Sequence, residues 1–112
     1  MSNAKKFNRY NVAQERVFVL SDLAIYLCSK TRVHTQMWIK DLVYYVKSTK
    51  SNEFLLVFKV QGETVDLRVS SEDRDELLDF TKLRFANLAP TKGLKVFGVP
   101  ESSLKNFKNS GK

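Results

Sequence analysis

The stretch TVDLRVSSEDRDELLDFTKLRFANLAP, residues Thr64–Pro90, changes its hydrophobic period in the middle. Its first half alternates. Val65, Leu67 and Val69 are apolar, while Thr64, Asp66 and Arg68 between them are polar. A period of two marks a strand with one dry and one wet face. In the second half the period lengthens. Leu77, Leu78, Thr81, Phe85 and Leu88 fall on one face at helical spacing, with Phe80 and Leu83 off that face. Ser70 stands three residues before Asp73, an [ST]-x-x-[DE] helix start. The first turn is acidic and the later turns hold Lys82 and Arg84, an order that suits the helix dipole. Pro90 stops the helix. The reading predicts one helix over residues 71–88 that follows a run of strands.

Upstream the signal is β. RVFVL and LAIYLC, within residues 16–28, are rich in β-branched and aromatic residues and are joined by Ser21-Asp22 turn chemistry. They predict an antiparallel hairpin. SKTRVHTQ reads as a polar, basic loop, and MWIKDLVYYVKST as a strand region broken near Lys40-Asp41. EFLLVFKV is a further strand, turned back at Gln61-Gly62-Glu63 with Gly62 at the centre. Residues 16–69 are therefore expected to be mostly antiparallel strand. After the helix, the turn Pro90–Gly93 could fold Leu94, Val96 or Phe97 over Phe80 and Leu83; otherwise these groups form an exposed apolar patch. Met1-Ser2-Asn3-Ala4 reads as a start codon with a cloning remnant, residues 5–98 as the domain, and 99–112 as a polar tail.

At 112 residues, 43% of them hydrophobic and 28% charged, the chain can build one core. Its apolar runs are too short to span a bilayer, and the N-terminus lacks the apolar core of a secretory signal. One cysteine, Cys28, fits a reducing, cytoplasmic setting and is expected to be a small core residue. The net charge of +7 is segregated. Residues 1–50 hold nine Lys/Arg against three Asp/Glu, residues 51–79 three against eight, and residues 80–112 seven against one. Two basic ends around an acidic middle point to one side of the molecule that meets an anion. Nucleic acid phosphate and anionic lipid headgroups are the two classes.

Strand order, length and the single late helix fit a mainly β, α+β fold of the pleckstrin-homology-like kind: an antiparallel β-barrel or sandwich closed by one C-terminal helix. The front stretch adds a specific likeness. Lys6-Phe7-Asn8-Arg9, Gln14-Glu15-Arg16, the Ser21-Asp22 turn and Ile25-Tyr26 resemble the opening of the class I myosin tail-homology domain, a pleckstrin-homology-like module. Beyond Cys28 the likeness is one of element order. It implies binding to anionic phospholipids, often phosphoinositides, through Lys6, Arg9 and Arg16 around the Phe7–Arg16 loop, with Lys30 and Arg32 assisting from the next loop at the same end. It also implies a cytoplasmic, peripheral-membrane or cytoskeleton-associated parent. Gln14 departs from the pattern, since lipid-binding relatives often carry a basic residue there. That departure keeps a second reading open, a protein–protein interaction module of a larger cytoskeletal or signalling protein.

Catalysis is not expected. The sequence has no glycine-rich phosphate loop, zinc spacing or nucleophile elbow. His34 is the only histidine and reads as a surface residue, and the acidic run Glu72–Glu76 reads as a helix cap. No cofactor or metal is implied. Trp38, Tyr44 and Tyr45, interleaved with Lys40, Lys47 and Lys50, could stack on single-stranded nucleic acid. One strand of mixed aromatics is more often core, so nucleic acid ranks below lipid.

Overall fold

The computed structural model describes residues 2–8, 10 and 12–104. The strands are β1 (Ser2–Phe7), β2 (Ala13–Leu20), β3 (Ala24–Cys28), β4 (Val33–Trp38), β5 (Leu42–Ser48), β6 (Glu53–Val60), β7 (Glu63–Ser70) and β8 (Lys95–Val99), with one helix, α1 (Arg74–Leu88), between β7 and β8. The hydrogen-bonded order is β4-β3-β2-β1-β7-β6-β5-β8. All pairs are antiparallel except β5 with β8. The expected mainly β, helix-capped architecture is present, but the hydrogen bonding does not close into a barrel. β4 and β8 stand at its two ends and do not pair.

Each reading of local chemistry can be followed into the fold. The β2–β3 turn is held by Ser21, whose Oγ accepts the amides of Leu23 (3.3 Å) and Ala24 (3.0 Å). The break at Lys40-Asp41 is a single 3-10 turn, Ile39–Asp41, and it buries Ile39. Gln61 and Gly62 adopt φ of 51° and 84°, the two positive values of the tight hairpin turn that matches strand twist. The helix starts three residues later than expected. The serine that serves its entry is Ser71 rather than Ser70. Ser71 Oγ accepts the amide of Asp73 (3.1 Å) and donates to the Asn3 carbonyl (2.8 Å), which ties the helix start to β1.

The main core lies between the curved sheet and α1. Phe18, Ile25, Leu27, Ile39, Phe54, Leu56, Phe58 and Val69 are fully inaccessible, and Leu77, Leu78, Thr81 and Phe85 of the helix meet them. Leu88, at the end of the predicted face, is 37% exposed. Cys28 is half-buried on β3, off the Ile25/Leu27 face.

Two polar stretches are strands, not loops. β1 and β2 pair without interruption from Ser2↔Phe18 to Phe7↔Ala13, so the connection is only residues 8–12, not Phe7–Arg16. Polarity misleads here because Lys5, Lys6, Gln14 and Glu15 sit at the wet ends of paired strands; Lys5 and Glu15 form an ion pair at 3.9 Å. Likewise β4 begins at Val33, inside the stretch read as a basic loop. The segment after α1 does not fold onto Phe80 and Leu83, which stay exposed. It crosses to the far edge and pairs with β5, where Phe97 meets Tyr44 edge-to-face at 5.4 Å.

Candidate functional site: a basic end of the sheet

The β1–β2 and β3–β4 connections, with the strand ends that feed them, form the site. On β2, Gln14, Arg16 and Phe18 share a face, and Phe18 is fully buried. Arg16 therefore points along the concave side of the sheet, where the packed core runs out. On β1, Lys6 shares its face with buried Ala4, and Ala4 lies opposite Arg16. Lys6 and Arg16 thus emerge from adjacent strands on one face. The short connection between them is closed by Asn8, whose Oδ1 accepts the amides of Tyr10 (2.9 Å) and Val12 (3.0 Å). That is an Asx turn, a reason for asparagine at this point. Arg9 and Asn11 lie outside the described residues.

Arg32 ends the β3–β4 connection, which Ser29 N closes by donating to Arg32 O at 2.9 Å. Lys30 stands in the same four-residue connection and is exposed. Just beyond, the ladder slips: Cys28 pairs with Val33 but Leu27 pairs with Thr35. His34 is the extra residue of this bulge, a device that re-aims a side chain. Its pKa is pulled below the ordinary histidine value by partial desolvation and by the positive charges of Arg16, Arg32 and Lys6. Three cations from β1, β2 and the β3–β4 connection thus act together on one imidazole.

These cations are uncompensated. Among the described residues, no carboxylate lies within ion-pair distance of Lys6, Arg16, Lys30 or Arg32. Arg16 spends one terminal nitrogen on the Glu15 carbonyl (2.7 Å), while its Nε is buried without a partner. Among the described residues the other arginines each have a carboxylate within ion-pair distance, although Arg84 Nε, like that of Arg16, is buried without a hydrogen bond. Arg68 grips Glu53 with two bonds of 2.8 and 3.0 Å, Arg74 donates to the Ser48 and Ser51 carbonyls, and Arg84 faces Asp22 at 3.3 Å. Exposed apolar groups, Val12 and Val33 at 53% and Tyr10 at 72%, rim the basic end.

Comparison with solved structures names the architecture. The chain superposes on the solution structure of the PH domain of human oxysterol binding protein-related protein 11 with a TM-score of 0.63 and 14% identity, over 81% of this chain and 82% of that one. The fold is pleckstrin-homology-like. The PH domain of human TBC1 domain family member 2 protein matches with a TM-score of 0.58 and 10% identity, over 80% and 82% of the two chains. The Slm1 PH domain, solved in complex with inositol-4-phosphate, matches with a TM-score of 0.56 and 8% identity, over 75% and 91%. No family model and no curated protein matches the sequence.

Of the five residues singled out in the sequence, this pleckstrin-homology-like chain brings Lys6, Arg16 and Arg32 to one place and sets Lys30 beside them. His34, expected as a surface residue of the second basic loop beside Lys30 and Arg32, lies within reach of the charges of Arg16, Arg32 and Lys6. Tyr44 and Tyr45 are buried at 8% and 4% and cannot serve as an open stacking platform. Among the described residues, no group of three His, Cys, Asp or Glu side chains could hold a metal ion. No helix there is long and apolar enough to cross a membrane.

Proposed function

We propose that the chain is a non-catalytic module that binds anionic phospholipid headgroups, of the phosphoinositide class, and brings its parent protein to a cytoplasmic membrane surface. Lys6, Arg16 and Arg32 are the principal phosphate donors, with Lys30 and Arg9 contributing from the two connections. The observation that carries this reading is the convergence of three cations without carboxylate partners, one of them an arginine with a buried, unpartnered Nε. Arginine supplies planar paired donors and lysine a point charge, the combination phosphate takes. The apolar rim of Tyr10, Val12 and Val33 supports a lipid surface over a phosphate in free solution. The Slm1 neighbour, solved with an inositol phosphate, supports the ligand class.

The finer likeness to the class I myosin tail-homology domain belongs to this proposal. It favours electrostatic attachment, because Gln14 occupies the position where a further basic residue would grip the headgroup. Each basic residue near a charged membrane contributes about 1 kcal/mol, so three to five contribute roughly 3–5 kcal/mol. Attachment of that strength is weak alone and is completed by a second contact of the parent protein.

Liposome co-sedimentation tests the reading. The Lys6→Ala/Arg32→Ala double variant should bind phosphoinositide-containing vesicles about 30-fold more weakly at unchanged melting temperature, the loss of about 2 kcal/mol of surface attraction. Vesicle binding equal to that of the unmodified chain, or no binding by either, would overturn it.

A further inference from the structure

The basic end uses only part of the charge that the sequence segregates. Residues 80–112 hold seven Lys/Arg against one Asp/Glu, and the residues of that site come from other parts of the chain. A second hollow, of about 510 Å³, takes up some of the remainder. It lies where the 3-10 turn Ile39–Asp41, the start of β5, the end of β6, the last turn of α1 and the connection to β8 meet. Lys40, Lys59 and Lys92 line it, each from a different element, and all three are exposed.

Irregular backbone shapes the hollow. Ile39 is buried, so the 3-10 turn fixes Lys40 beside the core. Next to that turn the β5–β6 ladder slips: Leu42 pairs with Phe58, but Tyr44 pairs with Val57. Val43 is the extra residue of this bulge and is 42% exposed. A bulge leaves its extra residue unpaired in the ladder and re-aims its side chain. Leu42 and Phe85, each 3% exposed, supply an apolar wall. At Gly93 a Cβ would meet nothing within 4 Å, so the mouth beside Lys92 is open.

The charge here is unbalanced. Among the described residues no carboxylate lies within ion-pair distance of Lys40, Lys59 or Lys92. Asp41 lines the same hollow and pairs with none of them. Three cations in a concave site raise the local concentration of anions. The other groups narrow the choice of anion. A carboxylate accepts hydroxyl groups, and the apolar wall takes a carbon body. The volume suits a small molecule, since such sites enclose about 300–1,000 Å³.

We propose that this hollow is a second anion site, which takes a polyol phosphate. Its phosphate lies against Lys40, Lys59 and Lys92, its hydroxyls donate to Asp41, and its ring carbons cover Leu42, Val43 and Phe85. The hollow shares no element with the basic end, and the proposal does not rest on the lipid reading. A free sugar or inositol phosphate and a phosphoinositide headgroup offer the same chemistry.

NMR titration of the full chain with inositol-4-phosphate reads the two sites separately. The Val43 and Gly93 amides should shift saturably, whatever the amides of Asn8 and Ser29 do. The Lys40→Ser/Lys59→Ser/Lys92→Ser variant should bind at this hollow about tenfold more weakly, the worth of three exposed charges, at a nearly unchanged melting temperature. Inorganic phosphate, which lacks the polyol body, should also bind there about tenfold more weakly. No saturable shift at Val43 and Gly93, equal shifts in the variant, or equal binding of inorganic phosphate overturns the proposal. Vesicles containing a phosphoinositide separate the two sources. Weaker attachment of the lysine variant supports a lipid headgroup as the ligand, and unchanged attachment supports the free phosphate ester.

Discussion

Arg16 and Arg68 are the same residue type on strands of the same sheet, and they do opposite work. Arg68 is wrapped. Glu53 takes it with two bonds, Ser103 Oγ accepts from it at 3.1 Å, and its guanidinium lies 4.0 Å from the centre of the Phe7 ring. Arg16 is left with a buried Nε and no carboxylate, beside two further cations. A compensated buried charge holds the fold in one arrangement. An uncompensated one costs the fold something and gains its partner only when an anion arrives. The difference separates a structural cation from one we propose to be a binding cation, and four substitutions or conditions probe it.

The largest effect belongs to the compensated pair. Glu53→Ala leaves the Arg68 guanidinium, whose side chain is 11% exposed, without its carboxylate and frees the Leu104 amide. The expected loss is about 3–5 kcal/mol in denaturant unfolding. Vesicle binding of the fraction that remains folded should be unchanged. A loss below about 1 kcal/mol, the range of surface pairs, would break the comparison.

Arg16→Met is the counterpart. Stability should hold or rise slightly, because the variant removes a buried nitrogen that has no partner. Vesicle binding should fall about fivefold, the worth of one basic residue at a charged surface. A large drop in melting temperature with unaltered binding would reassign Arg16 to the structural class.

Salt should separate the two regions more gently. Vesicle attachment should weaken steadily as ionic strength rises, since exposed charges are screened beyond roughly 8 Å at physiological salt. The unfolding midpoint of the chain, set by packing and by a shielded ion pair, should move little over the same range.

The smallest effect is that of His34. Its folded pKa lies below the ordinary value because Arg16, Arg32 and Lys6 add to partial desolvation. The unfolded chain therefore takes up this proton first. The stability contribution is complete above the ordinary histidine pKa and is lost as pH falls through the lowered folded value. Binding runs the other way, because a protonated His34 adds a cation, so vesicle attachment should strengthen as pH falls through that range. His34→Gln should flatten this part of the binding profile, and an NMR titration should show the His34 pKa rising when an inositol phosphate is added. A pKa that does not move would place His34 outside the site.

The elements legible in the chain are those whose cause is local. The β2–β3 hairpin follows from two apolar runs about a serine turn, and the β6–β7 turn from Gln61-Gly62 with two positive φ values. The helix follows from Leu77, Leu78, Thr81 and Phe85 at one spacing, before a proline. Segregated charge also pointed to the basic end, because Lys6, Arg16 and Arg32 lie near one another in the chain as well as in space.

What only the tertiary structure decided depends on partners far away in sequence. Ser2–Phe7 is a strand because β2 and β7 pair with it on either side, not because its residues favour one. His34 belongs to the basic end because a bulge against β3 turns it there. Arg68 alternates as an outward, wet residue should, yet Glu53 and the 95–104 segment enclose it. That segment settles on β5, not on Phe80 and Leu83, because β5 offers unpaired backbone groups beside an apolar face and the helix offers none. A residue's neighbours along the chain set its periodicity and turn chemistry. Whether its charge is matched or left open is set by residues that only folding brings within reach.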